Sequence, residues 1–446
     1  MKKYKDILIM GLGVSGKSAV ITLSKLDINI YVYDDNIKNK SQIPDDMKNL
    51  GINFLFSPET VLEKDFQLVM KSPGINPSHE LIKKLKKNES KIISDLELGF
   101  MNKGNEKLIC ITGTNGKTTT TVLINDILNS SGLSSNAVGN IGVGAVFELV
   151  NTKKDFLVIE CSSFQLDDID LFKPNISIIM NITSDHLDYH LTTENYKKSK
   201  LNILKNLDNN DYAILNYDDK NLKYLKGNYK KIFISTIDKV DSGIYLYDNR
   251  IFISKNGRTT EYIDTKDIFI KGVHNYYNIM ASIAVAEILN LDRKIVKETI
   301  KNFRGVPHRL QFVRIHNGVS YYNDSKGTNS DSTMKAIASF DNPLIIFLGG
   351  YDKKEDFTEL LDIGKDKIKA ILAIGQTKDK IVKKALEVGY KNIYEIENLE
   401  EGITIANKIS ESGDVVLLSP ACASWGMFKN FEERGNKFIQ LVKELK

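Results

Sequence analysis

The sequence predicts an α/β protein of three domains on mostly parallel sheets. A Rossmann-like domain spans residues 1–94, a central P-loop ATPase-type domain 95–302 and a second Rossmann-like domain 303–446. Three observations carry that expectation. The chain has 446 residues, which suits about three domains at roughly 150 residues each. Short apolar runs alternate with segments of helical spacing along its length, the pattern of βα units. The alternation restarts after the polar stretch Asn102–Lys107 and again after Phe303.

The elements follow in order. Asp6–Met10 is an apolar run closed by glycines, as in a buried parallel strand. Lys17–Leu26 has helical spacing, and Asn29–Tyr33 is a β-rich run ending at Asp34-Asp35, which completes a β-α-β unit. Gln67–Met70 predicts a strand before the turn Ser72-Pro73-Gly74. In the central domain, Leu108–Thr112 predicts a strand, Gly113–Lys117 a turn and Thr118–Asn129 a helix. Phe156–Glu160 and Ile176–Asn181 read as further strands, and Val273–Leu289 as a helix with a small apolar face. Leu344–Leu348, Ala370–Ile374 and Val415–Leu418 are strands of the third domain. The stretch Asn209–Thr265, rich in Asn, Lys, Asp and Tyr, reads as an irregular antiparallel or loop-rich insertion.

Composition excludes several classes. Lys and Arg number 61 and Asp and Glu 57, a net charge of +4. Over this length that excess is too small for a nucleic-acid or membrane-surface binder. Apolar residues make up 42% and charged residues 26%, an ordinary globular mixture. Cys110, Cys161 and Cys422 are odd in number and far apart, with no zinc-ligand spacing. A reducing cytoplasm is the expected setting. No apolar run reaches transmembrane length. The N-terminal lysines before Ile7–Val14 mimic a signal peptide, but Gly11 and Gly13 break the run and no cleavage site follows.

Two glycine loops carry the chemistry. Gly11-Leu12-Gly13-Val14-Ser15-Gly16-Lys17-Ser18 fits both the dinucleotide fingerprint and a literal Walker A. In both, backbone N–H groups at a helix start point at an anion, and missing β-carbons admit it closely. Asp34 ends the next strand, where a ribose-binding acid would sit. The second loop, Thr112-Gly113-Thr114-Asn115-Gly116-Lys117-Thr118-Thr119, has Ile111 in place of the first Walker glycine. Its chemistry is more complete. Lys117 can reach a β- or γ-phosphate, the Thr118 hydroxyl can ligate Mg²⁺, and Glu160 closes an apolar strand as an acidic metal contact. ATP is therefore assigned to the second loop. Gly11–Gly16 and Asp34 alone would suit an NAD-dependent oxidoreductase, but that reading leaves Lys117, Glu160 and His186 without a role.

The loop Thr112–Thr119, the run Asn181-Ile182-Thr183-Ser184-Asp185-His186-Leu187-Asp188 and His274-Asn275-Tyr276-Tyr277-Asn278 together resemble the Mur ligases. These are the ATP-dependent amino-acid-adding enzymes of peptidoglycan synthesis, and folylpolyglutamate synthases share their central design. The D-glutamate-adding branch is resembled most, through Gly11–Gly16, Ser72-Pro73-Gly74-Ile75, Asn323-Asp324-Ser325-Lys326-Gly327-Thr328-Asn329, Ser419-Pro420-Ala421-Cys422-Ala423-Ser424 and Phe428–Gly435. Gly327 stands where that pattern carries alanine.

The resemblance implies ATP-driven addition of D-glutamate to UDP-N-acetylmuramoyl-L-alanine through an acyl phosphate. It also implies two Mg²⁺ ions, a monomer and a cytoplasmic location. Gly113, Thr114, Asn115, Gly116, Lys117, Thr118 and Thr119 would cradle the phosphates. Thr118 and Glu160 would hold one Mg²⁺, and His186 the second together with Lys200, the family's carbamylated lysine. Asn275 and Asn278, three apart on a helix, share a face for adenine. Arg309, Asp324 and Lys326 would complete the ATP site. Val14, Ser15, Asp34 and Ser72 would hold the UDP end, and Asn140, Ser162, Ser163 and Gln165 the muramoyl-alanine end. Thr328, Lys353, Ser424 and Phe431 would receive D-glutamate. Lys117, His186 and Lys200 are the expected catalytic residues. A related amide ligase with another amino acid or a folate, and a nucleotide-binding module without catalysis, are the other readings.

Overall fold

The computed structural model describes residues 4–139, 144–183, 185–352 and 355–446. Among them the strands form sheets of five, nine and six. The first sheet holds β1 (Asp6–Met10), β2 (Asn29–Tyr33), β3 (Asn53–Leu55), β4 (Leu68–Lys71) and β5 (Lys91–Ile93), in the order β3-β2-β1-β4-β5. Every pairing in it is parallel. Strand order reverses between β1 and β4, and beyond their carboxyl ends lie Gly11–Gly16 and Ser72. A ligand crevice belongs at such a switch point. The first helix is Val14–Leu23, starting three residues ahead of the expected Lys17. A β-carbon on Gly16 would lie 1.9 Å from the Gly11 carbonyl oxygen, so only glycine lets this helix start pack against its own loop.

The second sheet holds β6 (Lys107–Thr112), β7 (Ser135–Gly139), β8 (Phe156–Glu160), β9 (Ile176–Ile179), β10 (Tyr212–Asn216), β11 (Lys230–Ser235), β12 (Gly243–Tyr247), β13 (Arg250–Lys255) and β14 (Arg258–Asp264). Their order is β14-β13-β12-β11-β10-β9-β6-β8-β7. From β7 across to β12 the pairings are parallel, while β12, β13 and β14 pair antiparallel. The expectation of an irregular insertion over Asn209–Thr265 is therefore corrected. Its first strands extend the parallel sheet, and only its end is a meander. The apolar cores of these strands are short, and lysine, arginine and glutamate mark the exposed edge. That composition discourages edge-to-edge pairing and mimics a loop.

The third sheet holds β15 (Gln311–His316), β16 (Val319–Asn323), β17 (Leu344–Leu348), β18 (Ile368–Ile374), β19 (Ile393–Ile396) and β20 (Val415–Leu418), in the order β15-β16-β20-β17-β18-β19. It is parallel except for the β15–β16 hairpin, which strand–helix alternation did not predict.

The chain divides into two compact units, Met1–Ile268 with His274–Asn302, and Phe269–Val273 with Phe303–Lys446. The first unit contains both the first and second sheets. Buried polar contacts hold this unit together. The Glu97 carboxylate, 0% exposed, accepts the N–H groups of Asp170, Leu171 and Phe172, each at 2.9 Å. The Lys71 ammonium, 1% exposed, stands 3.1 Å from Asp168 and donates to the Tyr189 hydroxyl at 2.9 Å.

Candidate active site

The loop after β6 is built by two glycines and braced by one neighbour. Gly116 caps the helix Lys117–Ser130 at φ 85°. A β-carbon there would stand 2.5 Å from the Asn278 side-chain oxygen. Thr114 N–H donates to the Asn181 carbonyl at 3.0 Å, and Asn115 N–H to the Asn181 side-chain oxygen at 2.9 Å. The Thr114 hydroxyl donates to the Thr183 carbonyl at 3.0 Å. The run after β9 thus holds the loop in shape, leaving a helix N-terminus suited to an anion.

Two lysines converge on this loop. Lys117 Nζ donates to the carbonyls of Gly113 at 2.8 Å and Thr114 at 3.0 Å. Lys200, on the helix Thr193–Leu201 and 2% exposed, donates to the same Gly113 carbonyl at 2.9 Å. Its ammonium lies 4.5 Å from the Tyr196 ring centre. Burial pushes the Lys200 amine well below the ordinary lysine range, and the Lys117 charge adds to that, while Asp185 and Glu160 oppose it. A buried lysine of this kind favours its neutral form.

Glu160 ends β8 beside Ile111 of β6 and Gly139 of β7, and is 3% exposed. Thr118 and Thr119 are buried in the first turn of the loop's helix. His186 adopts φ 50°, its Nε2 is 3.5 Å from Asp185, and its ring meets Phe164 edge-on with centroids 4.9 Å apart. Among the described residues no group of three or more His, Cys, Asp or Glu side chains is gathered to hold a metal.

Asn275 and Asn278 do share a face. The Asn278 amide donates to the Asn275 side-chain oxygen at 3.2 Å, and its own oxygen accepts from Thr120 at 3.2 Å. At the first sheet, Asp34 accepts the Leu12 N–H at 2.7 Å, and the Ser72 hydroxyl donates to the Gly11 carbonyl at 2.8 Å. Val14 is 71% exposed at the tip of that loop. Ser162 caps the helix Ser163–Asp167 in a capping box with Gln165. The Ser163 hydroxyl meets His190 Nε2 at 2.9 Å.

In the second unit, Asp324 follows β16. It accepts from the Ser419 hydroxyl at 2.6 Å and the Leu310 N–H at 3.1 Å. Burial raises its carboxyl to about 6 against the opposing pull of Ser419, Arg309 and Arg434. Lys326 stands 5.6 Å from the Phe431 ring centre. The Phe431 carbonyl accepts from Ser325 at 2.8 Å, and Ser424 is 4% exposed. A β-carbon on Gly327 would sit 2.6 Å from Asp324 Oδ2, so the departure from alanine here accompanies a carboxylate turned toward the glycine. Thr328 is half-buried on the same loop. Asn140 and Lys353 lie outside the described residues.

Two buried groups here were not singled out from the sequence, the Asp95 carboxylate and the His190 ring. Ser94-Asp95-Leu96-Glu97 reads as an ordinary helix-capping sequence. His190 follows the quoted acidic run by only two residues, the one signal that could have drawn it in.

The family model described as Mur ligase MurD-like, N-terminal domain matches residues 5–94. That described as Mur ligase middle domain matches 111–286, and that described as Mur ligase, glutamate ligase domain matches 308–422. The chain belongs to the Mur ligase family. As such it is an ATP-dependent amide-forming ligase of three domains, and the oxidoreductase reading of Gly11–Gly16 is not favoured. This Mur ligase is 42% identical over 452 residues to the UDP-N-acetylmuramoylalanine–D-glutamate ligase of Clostridioides difficile, covering 100% of this chain and 99% of the relative. The protein of the same name from Caldicellulosiruptor bescii is 38% identical over 450 residues, covering 99% and 98%. Among solved structures, the UDP-N-acetylmuramate–alanine ligase of Thermotoga maritima matches the Mur ligase fold at TM-score 0.61 and 19% identity, over 99% of this chain and 100% of that one.

Proposed function

We propose that this Mur ligase joins D-glutamate to UDP-N-acetylmuramoyl-L-alanine at the expense of ATP. The substrate and amino acid are supported by the name carried by full-length relatives at 38–42% identity. The chemistry is supported best by one observation, the pairing of Lys117 and the buried Lys200 on the Gly113 carbonyl.

In this reading the substrate carboxylate attacks the γ-phosphorus, ADP leaves, and an acyl phosphate forms. The D-glutamate amine attacks the acyl carbon, loses a proton, and inorganic phosphate departs. Negative charge is crowded in both steps, so fixed cations and N–H donors do most of the work. The amides of Gly113–Lys117 and the Lys117 ammonium take the β- and γ-phosphates. Asn275 and Asn278 are the candidates for adenine, and Arg309, Asp324 and Lys326 are further nucleotide-binding candidates. Val14, Ser15, Asp34 and Ser72 hold the UDP end. Asn140, Ser162, Ser163 and Gln165 serve the muramoyl-alanine end. Lys353, Thr328, Ser424 and the backbone near Phe431 receive D-glutamate.

The Lys200 amine, pushed toward its uncharged form by burial, suits attack on CO₂, which forms an N–C bond and releases a proton, leaving a carbamate. The donors fit Mg²⁺, a hard cation bound through one or two carboxylates plus substrate phosphates. Thr118 with Glu160 would hold one ion, and His186 with the Lys200 carbamate a second. When bound, the ions would neutralise phosphate charge. Domain limits of 1–94, 95–302 and 303–446, a monomer, and a cytoplasmic setting belong to the same proposal. No helix among the described residues is long and apolar enough to cross a membrane.

The test is phosphate release from ATP with UDP-N-acetylmuramoyl-L-alanine, Mg²⁺, bicarbonate and a panel of amino acids. Release with D-glutamate alone is expected. Release with another amino acid would overturn the substrate assignment but keep the ligase.

A further inference from the structure

Asp95 is a buried carboxylate that none of the roles above uses. It is the first residue of the helix Asp95–Phe100, and it is 1% exposed. Its Oδ2 accepts from the Ser15 hydroxyl at 2.6 Å. Both its oxygens accept from the Gln165 amide nitrogen, each at 3.0 Å. Its Oδ1 also takes the Leu96 N–H at 3.0 Å. A carboxylate this buried is tolerated only when its lone pairs are filled by donors.

The Gln165 amide cannot turn round. Its oxygen already accepts from Ser162 N–H at 3.0 Å and from the Ser162 hydroxyl at 3.1 Å. Its NH₂ group is thereby aimed at Asp95. One side-chain chain therefore runs Ser15–Asp95–Gln165–Ser162. Ser15 belongs to the helix start behind Gly11–Gly16, on the first sheet. Ser162 and Gln165 follow β8, two and five residues after Glu160. Asp95 is 80 residues from Ser15 and 70 from Gln165, so it ties two distant loops.

Resting on the proposed substrate, we infer that Asp95 is a positioning residue that holds the loop for the UDP end in register with the segment for the muramoyl-alanine end. The Ser15 and Gln165 side chains then act through Asp95, and the Ser15 backbone remains for the ligand. A substrate that spans both loops is bound tightly only if their spacing is set beforehand.

The test is binding of UDP-N-acetylmuramoyl-L-alanine, and of ADP with Mg²⁺, to the full chain by calorimetry. Asp95→Asn puts an NH₂ group against a Gln165 amide that cannot reverse. It is expected to weaken the UDP-sugar about tenfold and leave ADP within twofold. Ser15→Ala, which removes one bond and little volume, is expected to weaken the UDP-sugar severalfold alone and to add little in the Asp95→Asn background. Equal loss of both ligands, unchanged UDP-sugar affinity, or full additivity of the two changes would each overturn the inference. The substrate proposal fails separately, by the absence of D-glutamate-dependent phosphate release in the unaltered protein. If that protein does not bind the UDP-sugar at all, both fall.

Discussion

Lys117 and Lys200 share one acceptor, the Gly113 carbonyl oxygen, at 2.8 and 2.9 Å. Two ammonium groups on one oxygen repel each other, and the more buried one is better off neutral. The loop shape and the lowered basicity of Lys200 are therefore linked through a single backbone atom.

Lys117→Ala should abolish ADP formation, a loss of about 10³-fold or more, since fixed charge on phosphate dominates such reactions. UDP-sugar affinity should hold within about twofold in this reading. Comparable loss of both would mean that Lys117 does not serve the phosphates alone. Single-turnover ADP formation and calorimetry measure the two sides.

Lys200 should carry a carbamate. In ¹³C-bicarbonate, nuclear magnetic resonance of the folded protein should show a lysine-dependent carbamate signal that Lys200→Arg lacks. The always-charged guanidinium cannot react. Activity should also fall when bicarbonate and CO₂ are stripped. A carbamate signal that survives Lys200→Arg would rule the site out.

Asp324 should make the second unit's stability fall as pH rises. Its folded carboxyl titrates near 6, above an unfolded carboxylate, because of burial. Between about pH 4 and 6 the folded state keeps a proton the unfolded chain has lost, so stability is present at low pH and lost through that window. The effect is on the order of 3 kcal/mol. Asp324→Asn should therefore gain on the unaltered protein as pH climbs from 4 to 7. A difference in Tm that stays flat across that range would contradict it.

Gly116→Ala should disturb the nucleotide loop twice over. The φ of 85° strains an L side chain, and the new carbon would stand 2.5 Å from Asn278. A loss of about 1–3 kcal/mol in stability is expected, with weaker ADP binding. Unchanged ADP affinity would show that the loop tolerates a shift.

Glu97→Ala should loosen the first unit. It strands the N–H groups of Asp170, Leu171 and Phe172, which Glu97 alone gathers. Of the three only Phe172 is a buried residue, and a buried orphan donor costs about 1–3 kcal/mol. A fall in Tm of only a degree or so would mean that water replaces the carboxylate.

The apolar runs of β1, β6, β8, β17 and β20 were legible because a buried parallel strand needs little but its own hydrophobicity. The strands β10 to β14 were not, because their apolar cores are short and the edge strand β14, with its arginine and glutamate, looks like a loop until its neighbours are known. The β15–β16 hairpin was hidden for a related reason, being an antiparallel pair attached to a parallel sheet. The starts of both glycine loops were legible from local rules of helix termini, and the structure puts each at the carboxyl end of its strand.

By itself, the sequence determined the α/β class, the two glycine loops and the family, since these depend on residues close together in the chain. Tertiary structure alone decided that Lys200 lies against Gly113, 87 residues away, and that Asp95 joins Ser15 to Gln165. The physical reason is that burial and buried hydrogen bonding are properties of neighbours in space. A lysine in a basic helix and an aspartate at a helix start acquire a depressed amine and a bridging carboxylate only when the fold removes water and supplies distant partners.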